Sequence, residues 1–144
     1  MALWLLAGSA FAASPLMGTW KLDESKSKLD PAMGKNTTVI YAQEGSKVKI
    51  TVDGVNAKGK PTHNEWVGKF DGKDYPVTGD PAFDARAYRQ VNSRTLDMML
   101  KKKGEVVGTG LVTVSGDGKT RTVQLDAMTP KGKKAHIVGV YNKS

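Results

Sequence analysis

The chain contains no cysteine. No disulfide can staple it, no thiolate can ligate a metal, and no cysteine nucleophile is available. Histidine is scarce, with only His63 and His136, so a histidine-rich metal site is excluded. Aromatic residues are 7% of the total and do not interleave with the basic residues. A stacking platform for single-stranded nucleic acid needs that interleaving, so nucleic acid is not an expected partner. There is no Gly-x-Ser-x-Gly elbow, no phosphate-binding loop and no cluster of metal-ligand residues. No cofactor and no metal are expected. No apolar run is long enough to span a bilayer as a helix, and no long stretch has helical periodicity.

What is present fits one folded domain. The 144 residues suffice for a single core or a single ligand-holding barrel. Glycine is abundant at 16 residues, which suits many tight turns. Lysine and arginine number 22 against 14 acidic residues, a formal net charge of +8. Most of the basic residues are lysines, and many of these sit at turns: Lys58, Lys60, Lys69, Lys73, Lys101 to Lys103, Lys131, Lys133 and Lys134. Such lysines solvate a surface and protect strand edges. They also give the chain an attraction for an anionic surface or polymer.

Residues 1–12 read as the remnant of a signal peptide. Leu3-Trp4-Leu5-Leu6-Ala7 is apolar, and Ala10-Phe11-Ala12 has the small-residue spacing of a cleavage site, although a basic leader is missing. The expected domain is therefore 13–144, in a periplasmic or secreted monomer.

The remainder is written in strands. Gly18-Thr19-Trp20-Lys21-Leu22 places Trp20 and Leu22 on one face. A polar connector, Asp23 to Gly34, holds one weak helical turn. Thr37 to Ala42 is β-branched and aromatic. Lys47 to Val52 alternates strictly, with Val48, Ile50 and Val52 on the apolar face. Asp53-Gly54 reads as a bulge, and Asp71-Gly72-Lys73 as a hairpin turn. Thr62–Phe70, Tyr75–Thr78, Ala85–Val91, Thr95–Lys102, Val106–Ser115, Thr120–Met128 and a last strand from about Ala135 to Asn142 complete the series. Parallel crossovers would need helices that are missing. The expected fold is all-β: a single antiparallel up-and-down β-barrel of about eight to ten strands, with little helix. A two-sheet sandwich is the alternative.

Gly18 to Leu22, Val52-Asp53-Gly54-Val55, Asp71 to Gly79, Gly108-Thr109-Gly110 and Asp117-Gly118-Lys119-Thr120 carry a resemblance. The chain resembles the calycins, the lipocalins and fatty-acid-binding proteins, and in particular small exported lipocalin-like bacterial proteins. The resemblance implies a ligand-holding barrel. It also marks a departure. Fatty-acid-binding proteins grip a carboxylate with Arg-x-Tyr on the last strand; here Tyr141 matches, but Gly139 stands at the arginine position.

The leading functional expectation is a barrel that buries a small apolar or amphipathic molecule. Trp20, Tyr41, Trp66, Tyr88, Met98 and Tyr141 are the candidate cavity residues, with Arg86 as an anion contact. Trp20 also reads as a plug at one end. Arg86, Tyr88 and Gln90 share a face, and strand register decides whether it is inside or out. Met99 and Met128 are further candidates for softening a cavity. On the ninth strand Val123, Leu125 and Ala127 look inward. The alternative is a hydrolase or lyase in the same barrel, with His63 and Glu65, spaced i and i+2, as an acid/base pair; the residues leave the question of enzymatic activity open. On the competing arrangement that pair is exposed, and Asn64 shares the cavity with Trp66. His136 stands alone on the last strand. Some barrels related to these hold haem through one histidine, but an exposed or structural residue is the expectation here.

Overall fold

A computed structural model describes residues 14–144; the signal-like stretch 1–12 and the start of the domain at 13 lie outside the described residues. Alternation of side chains produces ten strands. They are β1 (Gly18–Leu22), β2 (Lys35–Glu44), β3 (Lys47–Val55), β4 (Pro61–Gly68), β5 (Asp71–Thr78), β6 (Ala85–Asn92), β7 (Thr95–Lys102), β8 (Glu105–Val114), β9 (Thr120–Met128) and β10 (Lys134–Lys143). Each pairs antiparallel with its neighbours in sequence, and β1 pairs with β10, closing an up-and-down barrel. Closure leaves no free edge, so every strand can satisfy its backbone groups on both sides.

Antiparallel partners share a face, so the register can be followed around the wall. Tyr88 pairs with Met98, Met98 with Gly110, Gly110 with Leu125, and Leu125 with Ile137. This row faces the interior. A second row runs Leu22, Tyr141, Arg121, Val114. On the other side Tyr41, Ile50, Trp66 and Val77 form a third. Trp20, Tyr41, Ile50, Trp66, Leu96 and Val112 are all buried.

One end of the barrel is sealed. Leu16 is fully buried just ahead of β1, and the Trp20 indole Nε1 donates to the Leu16 carbonyl oxygen at 3.1 Å. The Lys143 ammonium lies 5.3 Å from the Trp20 ring centroid. The wall is thinnest between β4 and β5, which pair only at Glu65–Thr78 and Trp66–Val77. Pro76, with no N–H to give, sits just beyond that contact. Aromatic side chains fill the seam: Phe70 stacks on Trp66 at 6.2 Å and Tyr75 meets it edge-on at 5.6 Å.

The structure corrects three local expectations. The bulge expected at Asp53-Gly54 belongs to the facing strand, where the register shifts between Asn36 and Thr38. Asp71-Gly72-Lys73 is not the hairpin turn but an irregularity inside β5, with Gly72 at φ 81° and the Lys73 amide donating to Asp71 Oδ1 at 3.0 Å. The turn falls at Lys69-Phe70 instead. The Asp23-to-Gly34 connector contains two 3-10 turns, at Glu24–Lys26 and Pro31–Met33, not one.

Candidate ligand-binding site

Inside the barrel the register question at β6 is resolved. Arg86 and Tyr88 point inward and are buried. Gln90, on the same face, lies towards the C-terminal end of the strand and is exposed. Trp66 fixes this strand from β4 by donating its indole Nε1 to the Arg86 carbonyl oxygen at 2.9 Å. Its ring meets Tyr88 edge-on at 4.8 Å. Asn64 is also inside, one alternation before Trp66, and its Oδ1 accepts from Arg86 Nη1 at 3.2 Å.

A second buried cation, Arg121, projects from β9. It occupies the same face as Val123, Leu125 and Ala127, and period-2 alternation carried one step further back would have found it. Its Nη2 donates to the Tyr41 hydroxyl at 3.0 Å. Its guanidinium lies 5.0 Å from the ring centroids of both Tyr41 and Tyr141. Burial opposes the charge on Arg121; the oxygens of Tyr41 and Tyr141 more than offset this and hold its pKa raised. Burial likewise pushes the Tyr88 and Tyr141 hydroxyls up from their ordinary value, so both remain neutral.

The balance of charge in this interior is unusual. Arg86 and Arg121 are the only buried charged side chains among the described residues, and no carboxylate is buried with them. Arg86 Nε and Nη2, and Arg121 Nε and Nη1, are buried with no hydrogen-bond partner. An unpartnered buried donor costs about 1–3 kcal/mol, more when it is charged.

The opposite wall of the interior is less completely covered. Met98, Gly110, Val123, Leu125 and Ile137 line the inner face of β7 to β10 and are only half-buried, unlike the aromatic side opposite. Gly110 helps: a Cβ there would come within 2.9 Å of the Met98 methyl. Two clefts lie at the surface. One of about 350 Å³ includes Met17, Val48 and Phe70, and one of about 560 Å³ includes Val106, Ala127 and Met128. Neither includes the two arginines, which belong to the interior. Met99 and Met128 are exposed on the outside and do not line the interior.

His63 and Glu65 meet, but on the outer wall, across the strand from Asn64 and Trp66. Imidazole Nε2 is 2.9 Å from Glu65 Oε2, and Nδ1 is 2.6 Å from Asp53 Oδ1. Lys49 completes the cluster at 3.3 Å from Glu65 Oε1. A ring that donates from both nitrogens is an imidazolium. The bonds to Glu65 first, then to Asp53, raise its pKa. Asp97 faces outward and pairs with Arg89. His136, also outside, lies 2.7 Å from Asp126 Oδ1.

The chain matches no known family model and no curated protein sequence. Fold and site together define a closed, ten-stranded, antiparallel barrel with a cationic, aromatic-lined interior, an architecture compatible with the calycins.

Proposed function

We propose that this protein is an exported, monomeric barrel that binds a small amphipathic anion in its interior. The two buried guanidinium groups, with four unpartnered nitrogens and no buried carboxylate, carry this reading. Such an arrangement is costly in the free protein and is compensated by a ligand that brings the missing negative charge. The anionic head sits against Arg86 and Arg121, and the apolar body lies along Met98, Gly110, Leu125 and Ile137. Burying about 200 Å² of apolar ligand surface is worth roughly 5 kcal/mol before entropic costs. Neutral tyrosine hydroxyls beside the arginines add donors for the same head.

One rim of the barrel assists. In an up-and-down barrel alternate turns share an end. The turns with Lys58 and Lys60, with Lys102 and Lys103, and with Lys131, Lys133 and Lys134 therefore cluster together, and they draw anions, or the anionic surface that holds them, towards the barrel. Native mass spectrometry of the protein isolated from its natural source tests the reading. A co-purifying acidic small molecule, released on denaturation, is the expected result. An empty protein that also shows no saturable binding of anionic amphiphiles overturns it.

A further inference from the structure

We propose that the outer wall carries a second functional site, in which His136, positioned by Asp126, hydrolyses a small apolar ester held in the adjoining cleft. The two histidines of the chain begin alike. Each is the direct cross-strand partner of an aspartate, His63 of Asp53 and His136 of Asp126. Each places Nδ1 on that aspartate, at 2.6 Å and 2.7 Å. They differ two residues further on. Glu65 follows His63 on the same face and takes its Nε2. Val138 stands in that place after His136 and offers no acceptor. An ionised carboxylate only accepts hydrogen bonds, so the Asp126 contact puts the proton of the neutral His136 ring on Nδ1. The lone pair is then on Nε2, which has no protein partner among the described residues. His63, bonded through both nitrogens as an imidazolium, has no lone pair to use.

Position separates the two further. His63 lines neither surface cleft, whereas His136 and Asp126 line the one of about 560 Å³. Val106, Val107 and Met128 give that cleft an apolar wall, and Val106 and Met128 are exposed. Lys134 lines it too, on the face of β10 that carries His136, and is also exposed. Base, cation and apolar wall therefore meet in one cleft, and the wall suits the short acyl group of an uncharged ester. Water is the second reactant. His136 Nε2 takes a proton from water as the water oxygen bonds to the ester carbonyl carbon. The carbonyl π pair moves to its oxygen, and the Lys134 ammonium stabilises that oxyanion. When the tetrahedral carbon collapses, its bond to the alcohol oxygen breaks. The imidazolium returns the proton to the departing alcohol. The products are a carboxylic acid and an alcohol, and nothing is oxidised or reduced. Asp126 acts through the ring, as a positioning residue that fixes its tautomer.

Release of p-nitrophenolate from p-nitrophenyl butyrate tests the site. The wild type is expected to turn over repeatedly, with a saturable rate about a hundredfold above that of N-acetylhistidine at equal concentration. H136Q is expected to lose that excess, and added imidazole to restore part of it to H136G. M128E, which puts a charge in the apolar wall, is expected to raise KM about tenfold with little change in kcat. D126N is expected to lower kcat about tenfold at unchanged KM, because the ring tautomer is no longer held. Nitrogen NMR gives a readout that needs no substrate: the neutral His136 ring is protonated on Nδ1 in the wild type and mainly on Nε2 in D126N. H63Q is expected to match the wild type throughout. A wild type no faster than N-acetylhistidine overturns the proposal. So does a single equivalent of nitrophenolate, which is acylation of lysines and not turnover. A rate that never saturates with ester, full activity in H136Q, loss of activity in H63Q, an unmoved KM in M128E, or a wild-type ring protonated on Nε2 overturns it equally. None of these results bears on the interior ligand, whose test is separate.

Discussion

Arg121 and Tyr141 are direct cross-strand partners on β9 and β10, and the arginine lies 5.0 Å from the tyrosine ring centroid. The arginine–tyrosine pair is thus assembled across the ladder and not along one strand. Gly139 explains why. The Tyr141 ring leans back over it, so a Cβ at 139 would come within 2.9 Å of the ring. The space a side chain at 139 would need is already occupied by the tyrosine.

An arginine placed at 139 will therefore not build a better anion grip. Gly139→Arg is expected to displace the Tyr141 ring and destabilise the barrel by about 1–3 kcal/mol through overpacking. Urea unfolding measures this. Unchanged stability together with tighter binding of decanoate would show that the tyrosine ring moves aside freely.

Removing the Arg121 charge tests how fully the tyrosines compensate it. Arg121→Met keeps much of the volume and abolishes a buried cation that has no carboxylate partner. The free protein is expected to lose about 1–2 kcal/mol in chemical denaturation, because the Tyr41 hydrogen bond and the contacts with both rings, which more than offset the burial of the charge, go with it. Affinity for anionic amphiphiles is expected to fall at the same time. A gain of stability would mean that burial penalises the charge more than the two tyrosines compensate it.

The outer cluster at His63 has a definite pH signature. Its pKa is raised above the ordinary 6.5 by Glu65 and then Asp53. A raised histidine pKa contributes stability that is fully present below about 6.5 and lost as the pH climbs through the folded-state value. Glu65 is lowered below 4.5 by His63 and then Lys49, so its share is present above 4.5 and lost as the pH falls through its folded value. The melting temperature of His63→Gln is expected to fall short of the wild type mainly between about pH 4.5 and 6.5, and to converge with it in alkaline buffer. The cluster is exposed, so high salt narrows the gap. A constant gap at all pH values would assign the loss to packing.

Much of this was legible in the residues. Strict alternation in Lys47 to Val52 and repeated glycine-centred turns are direct consequences of pleated, half-buried strands, and they led to the barrel. Tyr41, Trp66, Tyr88 and Tyr141 fall inside because large aromatics at inward positions of closed strands have nowhere else to bury. The direction of Arg86 was not legible, since one step of register inverts a strand and only pairing with Leu100 fixes it. Arg121 was missed for a related reason: a basic residue at a strand start looks like a solvated turn, and only its neighbours Val123 and Leu125 mark it as inward. The Asp-Gly pairs misled because a left-handed glycine serves a bulge as readily as a turn, as Gly72 shows inside β5.

The lysine turns at one rim make a kinetic prediction. Lys131, Lys133 and Lys134 are exposed, and their replacement by glutamate is expected to leave stability within about 0.5 kcal/mol per site. They lie outside the buried arginine site, so they act through the long-range field and not through contact with a bound ligand. Stopped-flow binding of decanoate should therefore show an association rate lowered about tenfold in the triple variant, with dissociation unchanged. Added salt should slow the wild type towards the variant, because the field is screened beyond a Debye length of about 8 Å at physiological ionic strength. Equal association rates at low salt would remove the rim from the mechanism. A faster dissociation would instead place at least one of these lysines against the ligand.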